Sequence, residues 1–314
     1  MEKKFKLTDL PNVGPGTSEK LEEAGISSVI SVAVSTPGLL KDACGITETS
    51  ARKIIKAARE KCELGFEIGT DIDEKEKTIK KISFHCDSIN ELLDGGLELG
   101  TTMECYGEYA SGKSCIAHLL AVSTIKQFPN SYVIWVDTEK TFRPSRIRAF
   151  CEGLEMDADE VLKHIKVGKA VTSDHQILLT ETVEKEINAG NDVKLVIIDS
   201  LMNHFRAEYL GRGTLSVRQQ TINGYLHKIG KLADIYDLSV YMTNQVQSNP
   251  GLAFGDPNKP IGGNVVAHFA TTRLYIRKMS KNIRKMLLVD SPNLAPGEAI
   301  FTIEGDKLGS EEEK

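Results

Sequence analysis

At 314 residues the chain can hold one large domain and one small one. Its 40% apolar and 26% charged residues are ordinary for a globular protein, with no run of about eighteen apolar residues to span a membrane and no charged-then-apolar leader. The six cysteines (Cys44, Cys62, Cys86, Cys105, Cys115 and Cys151) form no C-x-x-C pair, which argues against zinc sites and disulfide frameworks and for a reducing compartment; the net charge of −5 confines any nucleic-acid contact to local basic loops.

Residues 1–62 read as a small helical module. Leu10–Thr17 (LPNVGPGT) is a turn feeding a helix, SEKLEEAG, that Gly25 ends. A second helix over Ala51–Cys62 sets Ala51, Ile54, Ile55 and Ala58 on one face and Arg52, Lys53, Lys56 and Arg59 on the other. The first part resembles a helix-hairpin-helix, whose glycine-rich backbone amides meet DNA phosphates. The same residues equally fit a module that docks on a larger domain or on another protein. Residues 63–82 are polar and charged, with Phe66 as the one large ring, and read as a linker. In a tether, that ring either packs locally or anchors a neighbouring molecule.

From residue 83 to 314 the pattern is α/β. Short apolar runs at 132–139, 193–200 and 238–245 alternate with helices such as 177–189 and 222–236, as in a mostly parallel sheet covered on both faces. Ahead of them, Gly107-Glu108-Tyr109-Ala110-Ser111-Gly112-Lys113-Ser114 fits G-x-x-x-x-G-K-[ST] between a predicted strand and a predicted helix. In that setting, backbone amides turn inward around a polyphosphate and the helix N-terminus adds partial positive charge. Lys113 is placed to reach the phosphates, and the Ser114 hydroxyl to hold Mg²⁺.

Polar residues close the apolar runs, where ligands bind in open α/β sheets. Asp199 ends LVIID; alone it would read as a capping residue, but with a phosphate loop upstream it reads as the carboxylate supporting the metal shell. Glu139 ends the earlier strand and can take a proton from an attacking water. Gln245 ends the run Met242-Thr243-Asn244-Gln245, where an amide can feel a terminal phosphate; Glu139 and Gln245 are expected on adjacent strands. Two loops follow. The first, 205–220, carries Arg206, Arg212 and Arg218; the second, 246–264, is rich in Gly, Pro and Asn. Arginine on such loops suits phosphate backbones.

These residues carry a resemblance over nearly the whole chain. The pieces LPNVGPGTSEKL, GEYASGKS, DTEKTFRPSRI, LVIIDSL, FRAEYLGRGTLSVRQQ, TNQV, GDPNKPIGGNVVAHFATTRLYIRK and DSPNLAPGEAIF resemble the archaeal RadA recombinases, the strand-exchange proteins of the RecA class. The resemblance implies a RecA-like ATPase core behind an N-terminal helix-hairpin-helix domain, with ATP and Mg²⁺ at residues 107–115, Cys115 included. It implies that Glu139 positions the attacking water, Gln245 and His268 sense the γ-phosphate, and Arg146 stacks on the adenine. Arg212 and Arg218 would meet the DNA backbone. Asp290 and Pro292 fall in the segment that caps the nucleotide of an adjacent protomer, and Phe66 matches the ring that plugs one protomer into the next. The implied partners are single- and double-stranded DNA, further copies in a helical filament or ring, and recombination mediators, in the cytoplasm (nucleoid-associated, or nuclear in a eukaryote).

Several positions depart from the family's habits, among them Ala110, Ser111 and Cys115, which vary the phosphate loop without removing a functional side chain. Lys140 stands where a glycine usually follows the glutamate, the cap proline (Pro296) comes one place late, and Gly69 replaces a common alanine. Beside the recombinase reading stand a paralogue that binds ATP and regulates filaments without exchanging strands, and a ring-forming helicase-like ATPase on the same core.

Overall fold

The computed structural model describes residues 5–248 and 258–310. The chain falls into two compact units, residues 1–79 with 181–191, and residues 80–180 with 192–314.

In the first unit, helices α1 (Pro15–Glu23), α2 (Val29–Ala33), α3 (Pro37–Cys44) and α4 (Glu48–Lys61) enclose a core that includes Leu21, Val32, Leu40, Ile54 and Ala58. Their ends follow local chemistry. Thr36 and Thr47 accept the backbone N–H groups of Leu39 and Ser50, and Gly45 leaves α3 at φ 68°, a left-handed conformation that glycine adopts without strain. The linker contains a short helix, α5 (Gly69–Glu76), which buries no side chain. Local pairing such as Lys77 with Asp73, four residues apart, supports it rather than a core. Phe66, just ahead of it, is fully exposed, and Ile68 is 68% exposed.

The second unit opens on β1 (Lys81–Ile82), which pairs antiparallel with β2 (Leu97–Glu98) around α6 (Asp87–Leu92). The sequence reading places residues 81–82 at the end of the linker. Ile82 is completely buried, which draws this stretch into the second unit.

The main sheet, ten strands among the described residues, is built from β3 (Thr102–Gly107), β4 (Ser131–Asp137), β5 (Ile165–Lys169), β6 (Asp192–Asp199), β7 (Ser239–Ser248), β8 (Asn258–Pro260), β9 (Thr272–Lys278), β10 (Ile283–Asp290), β11 (Gly297–Ile303) and β12 (Leu308–Ser310). Its order is β12-β11-β10-β9-β3-β7-β6-β4-β5, with β8 hanging from β7. Neighbours from β9 to β5 run parallel, and β9 to β12 form an antiparallel wing. Helices α7 (Lys113–Gln127), α8 (Pro144–Gly153), α9 (Ala158–Lys163), α10 (Ser173–Asn188), α11 (Asn203–Glu208), α12 (Leu215–Tyr236) and α13 (Asn264–Ala267) complete the chain. The three apolar runs become β4, β6 and β7, whose near-continuous burial explains their lack of alternation. Trp135, Phe84, Phe150 and Phe301 fill the core.

The order corrects one expectation. The strands carrying Glu139 and Gln245 are not adjacent, because β6 lies between β4 and β7. The first arginine segment is also less loop-like than its composition suggests. Between α11 and α12 there is only a short turn with a 3-10 step at Arg212–Thr214. Phe205 is fully buried and packs 5.8 Å from the ring of Tyr225, so tertiary contact makes helix of a polar sequence.

Candidate nucleotide site and its polar strand ends

The phosphate loop joins β3 to α7. Its glycines are sterically required. A Cβ at Gly107 would sit 2.3 Å from the Ile276 carbonyl oxygen, and one at Gly112 (φ 111°) would sit 2.4 Å from Ile303 Cδ1. Lys113 is 8% exposed. Its Nζ donates to the carbonyls of Gly107 (2.9 Å) and Glu108 (2.8 Å) and to Ser111 Oγ (3.2 Å). Burial lowers its pKa, while nearby acidic groups, Asp199 and Glu139 among them, oppose that shift. Cys105 beneath the loop is pushed up to about 12 by burial, which leaves it a neutral thiol. Arg284, on β10, is a residue the sequence reading missed. It is nearly buried, and its Nε donates 3.0 Å to the Ser111 carbonyl, pinning the loop from behind.

Asp199 ends β6 with both carboxylate oxygens already directed. One accepts from Thr243 Oγ1 and the other from Thr141 Oγ1 at 2.6 Å. Thr141 is itself set by Asp137, which also accepts the Phe142 N–H at 3.2 Å. Glu139 lies just beyond β4 rather than on it. Its Oε1 accepts from Gln245 Nε2 at 2.7 Å, so the two side chains meet across the end of β6. Burial first, then the charge of Asp199, raises the Glu139 pKa; the Gln245 hydrogen bond and Lys113 act the other way. Lys140 adopts φ 57°, which explains why a glycine suits this place.

These groups surround one pocket of about 360 Å³. Of the expected residues, Tyr109 to Cys115, Glu139, Arg146, Asp199 and Gln245 line it. Thr141, Ser200, Thr243, Arg284 and Ile303 line it too; their signal in sequence is weak, since hydroxyls and a lone arginine on β-rich segments look like solvated positions. Gly107 shapes the loop from within the sheet, and exposed Glu108 accepts from Asn258 at 2.8 Å. His268, Asp290 and Pro292 are exposed and stand outside this pocket.

A second pocket, of about 290 Å³, shares Ser200 and Gln245 with the first and is lined by Arg206 and Asn203 among others. Arg218 is half-buried, and its Nε has no hydrogen-bond partner among the described residues. The side chain of Arg212 and residues 249–257 of the second loop lie outside the described residues. Among the described residues no cluster of three or more His, Cys, Asp or Glu could hold a metal, and no helix is long and apolar enough to cross a membrane.

Comparison with known proteins agrees with this geometry. The Rad51 family model matches residues 75–310, and a SAM-like helix-hairpin-helix tandem matches residues 5–60. The chain is 48% identical over 314 residues to a DNA repair and recombination protein RadA of Methanoculleus marisnigri, covering 95% of this chain and 96% of that one. It is 46% identical over 319 residues to the protein of the same description from Methanocorpusculum labreanum, with the same shares covered. A phosphate loop, a carboxylate at the end of β6 and a match across the whole ATPase unit converge: the chain belongs to the Rad51 family, among the archaeal RadA recombinases.

Proposed function

We propose that this chain is an ATP-dependent recombinase that assembles on single-stranded DNA, pairs that strand with homologous duplex and exchanges strands. It is a DNA-dependent ATPase. The pocket fits a nucleoside triphosphate. Its loop tolerates no side chain at Gly107 or Gly112, its helix N-terminus faces it, and Lys113 is a nearly buried cation among loop oxygens. Ser114 and Asp199 would hold a Mg²⁺ ion, which would supply charge neutralisation at the phosphates.

The chain's own residues then do the following. Lys113 exchanges its loop carbonyls for phosphate oxygens. Thr141 and Thr243 hold the Asp199 carboxylate in one orientation. Glu139 accepts the proton of the attacking water as its oxygen bonds to the γ-phosphorus and the bond to the ADP oxygen breaks. Arg146 covers the base. Arg206, Arg212 and Arg218 hold the DNA backbone without reading sequence, so base pairing tests homology. Phe66 joins protomers, His268 senses the γ-phosphate together with Gln245, and the Asp290–Pro292 segment caps a neighbour's nucleotide.

One observation carries the reading. Gln245 donates to Glu139 in the nucleotide pocket and also lines the second pocket beside Arg206, so one side chain reports on both. The test is strand exchange with homologous against scrambled duplex, in ATP and in a non-hydrolysable analogue. Homology-dependent product with either nucleotide is expected. DNA binding without product would instead mark a regulator of other recombinases.

A further inference from the structure

Next to Gln245 in the chain lies a buried polar cluster, whose Asn244 and Ile261 also line the second pocket. Glu104 on β3 is completely buried, and its Oε2 accepts from Arg273 Nε on β9 at 2.8 Å. Its Oε1 accepts from Asn244 Nδ2 on β7 at 2.8 Å. Asn244 is also completely buried, and its amide is fully used. Nδ2 gives its second proton to the Ile261 carbonyl at 2.6 Å, and Oδ1 accepts the Gln245 N–H at 2.8 Å. Ile261, on the returning side of the second glycine-rich loop, is thereby held at both backbone groups, because its N–H donates to the Gln245 carbonyl at 3.0 Å.

A buried ion pair adds little stability over apolar residues of the same volume, whereas losing one partner is costly. Such a pair therefore makes a stiff anchor. Here it grips an amide that touches the nucleotide-sensing residue on one side and the mouth of the DNA loop on the other. We propose that Asn244 is a positioning residue that ties the second loop at Ile261 to the buried Glu104–Arg273 pair, so that a change at Gln245 moves the loop instead of dissipating along β7. The inference rests on nucleotide-switched DNA binding and adds the element that transmits it.

Asn244→Asp turns both donor contacts into repulsions, against Glu104 and against the Ile261 carbonyl. Adding Glu104→Gln keeps the net charge of the wild-type cluster and restores the 104–244 hydrogen bond with donor and acceptor exchanged. The contact to Ile261 stays broken, since position 244 still offers no proton. The double variant thus separates packing from transmission. Three quantities are read on the full chain: melting temperature, affinity for a non-hydrolysable ATP analogue, and the gain in single-strand affinity that the analogue produces. In Asn244→Asp/Glu104→Gln the melting temperature falls by a few degrees, because the Ile261 carbonyl still faces an oxygen and Arg273 loses its direct carboxylate; analogue affinity stays near wild type, and the gain falls about tenfold, within the range of ordinary coupling between sites. Retention of the full gain overturns the inference, as does a parallel loss of analogue affinity, which would place Asn244 in the nucleotide site. A double variant that fails to fold makes the cluster purely structural and overturns it too. If the wild-type chain itself shows no analogue-induced gain, the functional reading falls first, and the two failures are told apart by that control.

Discussion

The nucleotide pocket and the arginine segment at 205–220 sit close together at the carboxyl end of the sheet, yet they are built on opposite terms. In the pocket nearly every polar group is already directed. Lys113 has three acceptors, Asp199 two hydroxyl donors, and Glu139 an amide. In the arginine segment Arg206 is exposed and Arg218 Nε has no partner among the described residues, while the base beneath is firm. Phe205 is buried, and Glu208 accepts the Ser173 N–H at 2.8 Å. The contrast matches the ligands proposed for each region. A triphosphate must be met by groups aimed before it arrives, since catalysis depends on prepaid orientation. A polynucleotide backbone needs charge at adjustable positions on a fixed base.

If this contrast holds, the largest single-residue effect belongs to the pocket. Glu139→Gln keeps an oxygen for the Gln245 amide but cannot accept a proton. Phosphate release should slow by about 10²–10⁴-fold while ATP-dependent DNA binding persists. Wild-type kcat/KM should also show an acid limb above the ordinary carboxylate value of 4.5, because burial and Asp199 raise Glu139 and the working form is the ionised one. The limb should vanish in the variant. Near-normal hydrolysis would mean that Lys140 has handed the role to another group.

Assembly comes next, because each region is expected to draw on a neighbouring copy. Phe66 is fully exposed, with Ile68 beside it. Burying such a ring is worth about 1.5–3 kcal/mol, or about 10–150-fold per contact. Phe66→Glu should give a folded monomer by light scattering, with DNA-stimulated hydrolysis reduced. Monomers with full stimulated activity would show that each copy holds a complete site.

On the arginine side the effects should be smaller and of another kind. Arg206→Ala and Arg218→Ala should weaken single-strand binding regardless of sequence and flatten its salt dependence by about 0.7 log unit per lost phosphate contact. A loss confined to particular sequences would contradict backbone contact. The smallest effect tests the pocket's rim. Lys140 is exposed at φ 57°. Lys140→Gly should raise the melting temperature by about 2–4 °C, from relief of about 1 kcal/mol of backbone strain.

Much of the site was legible because its chemistry is local. The phosphate loop needs glycines at fixed spacing, a lysine and a hydroxyl, all within eight consecutive residues. Asp199 could be read from the apolar strand it ends. Phe66 stood out because a ring in a charged tether has no core of its own, and its exposure in the structure accords with that. The helix inside that tether was not legible, since its support is short-range ion pairing in a segment of mixed charge.

What the sequence by itself determined, then, was the set of local devices: the nucleotide loop, the strands buried on both faces, the capped helices and the polar strand ends. Only tertiary structure decided which of these meet. Strand order, invisible in any one segment, puts β6 between β4 and β7 and still lets Gln245 reach Glu139 across its end. The same order brings Arg284 against the Ser111 carbonyl, and Glu104 against Arg273 and Asn244. These partners are far apart in the chain, and their residue types alone look like solvated surface. Burial gives them their meaning, because in a low-dielectric interior a charged or amide group is retained only where a partner is already in place.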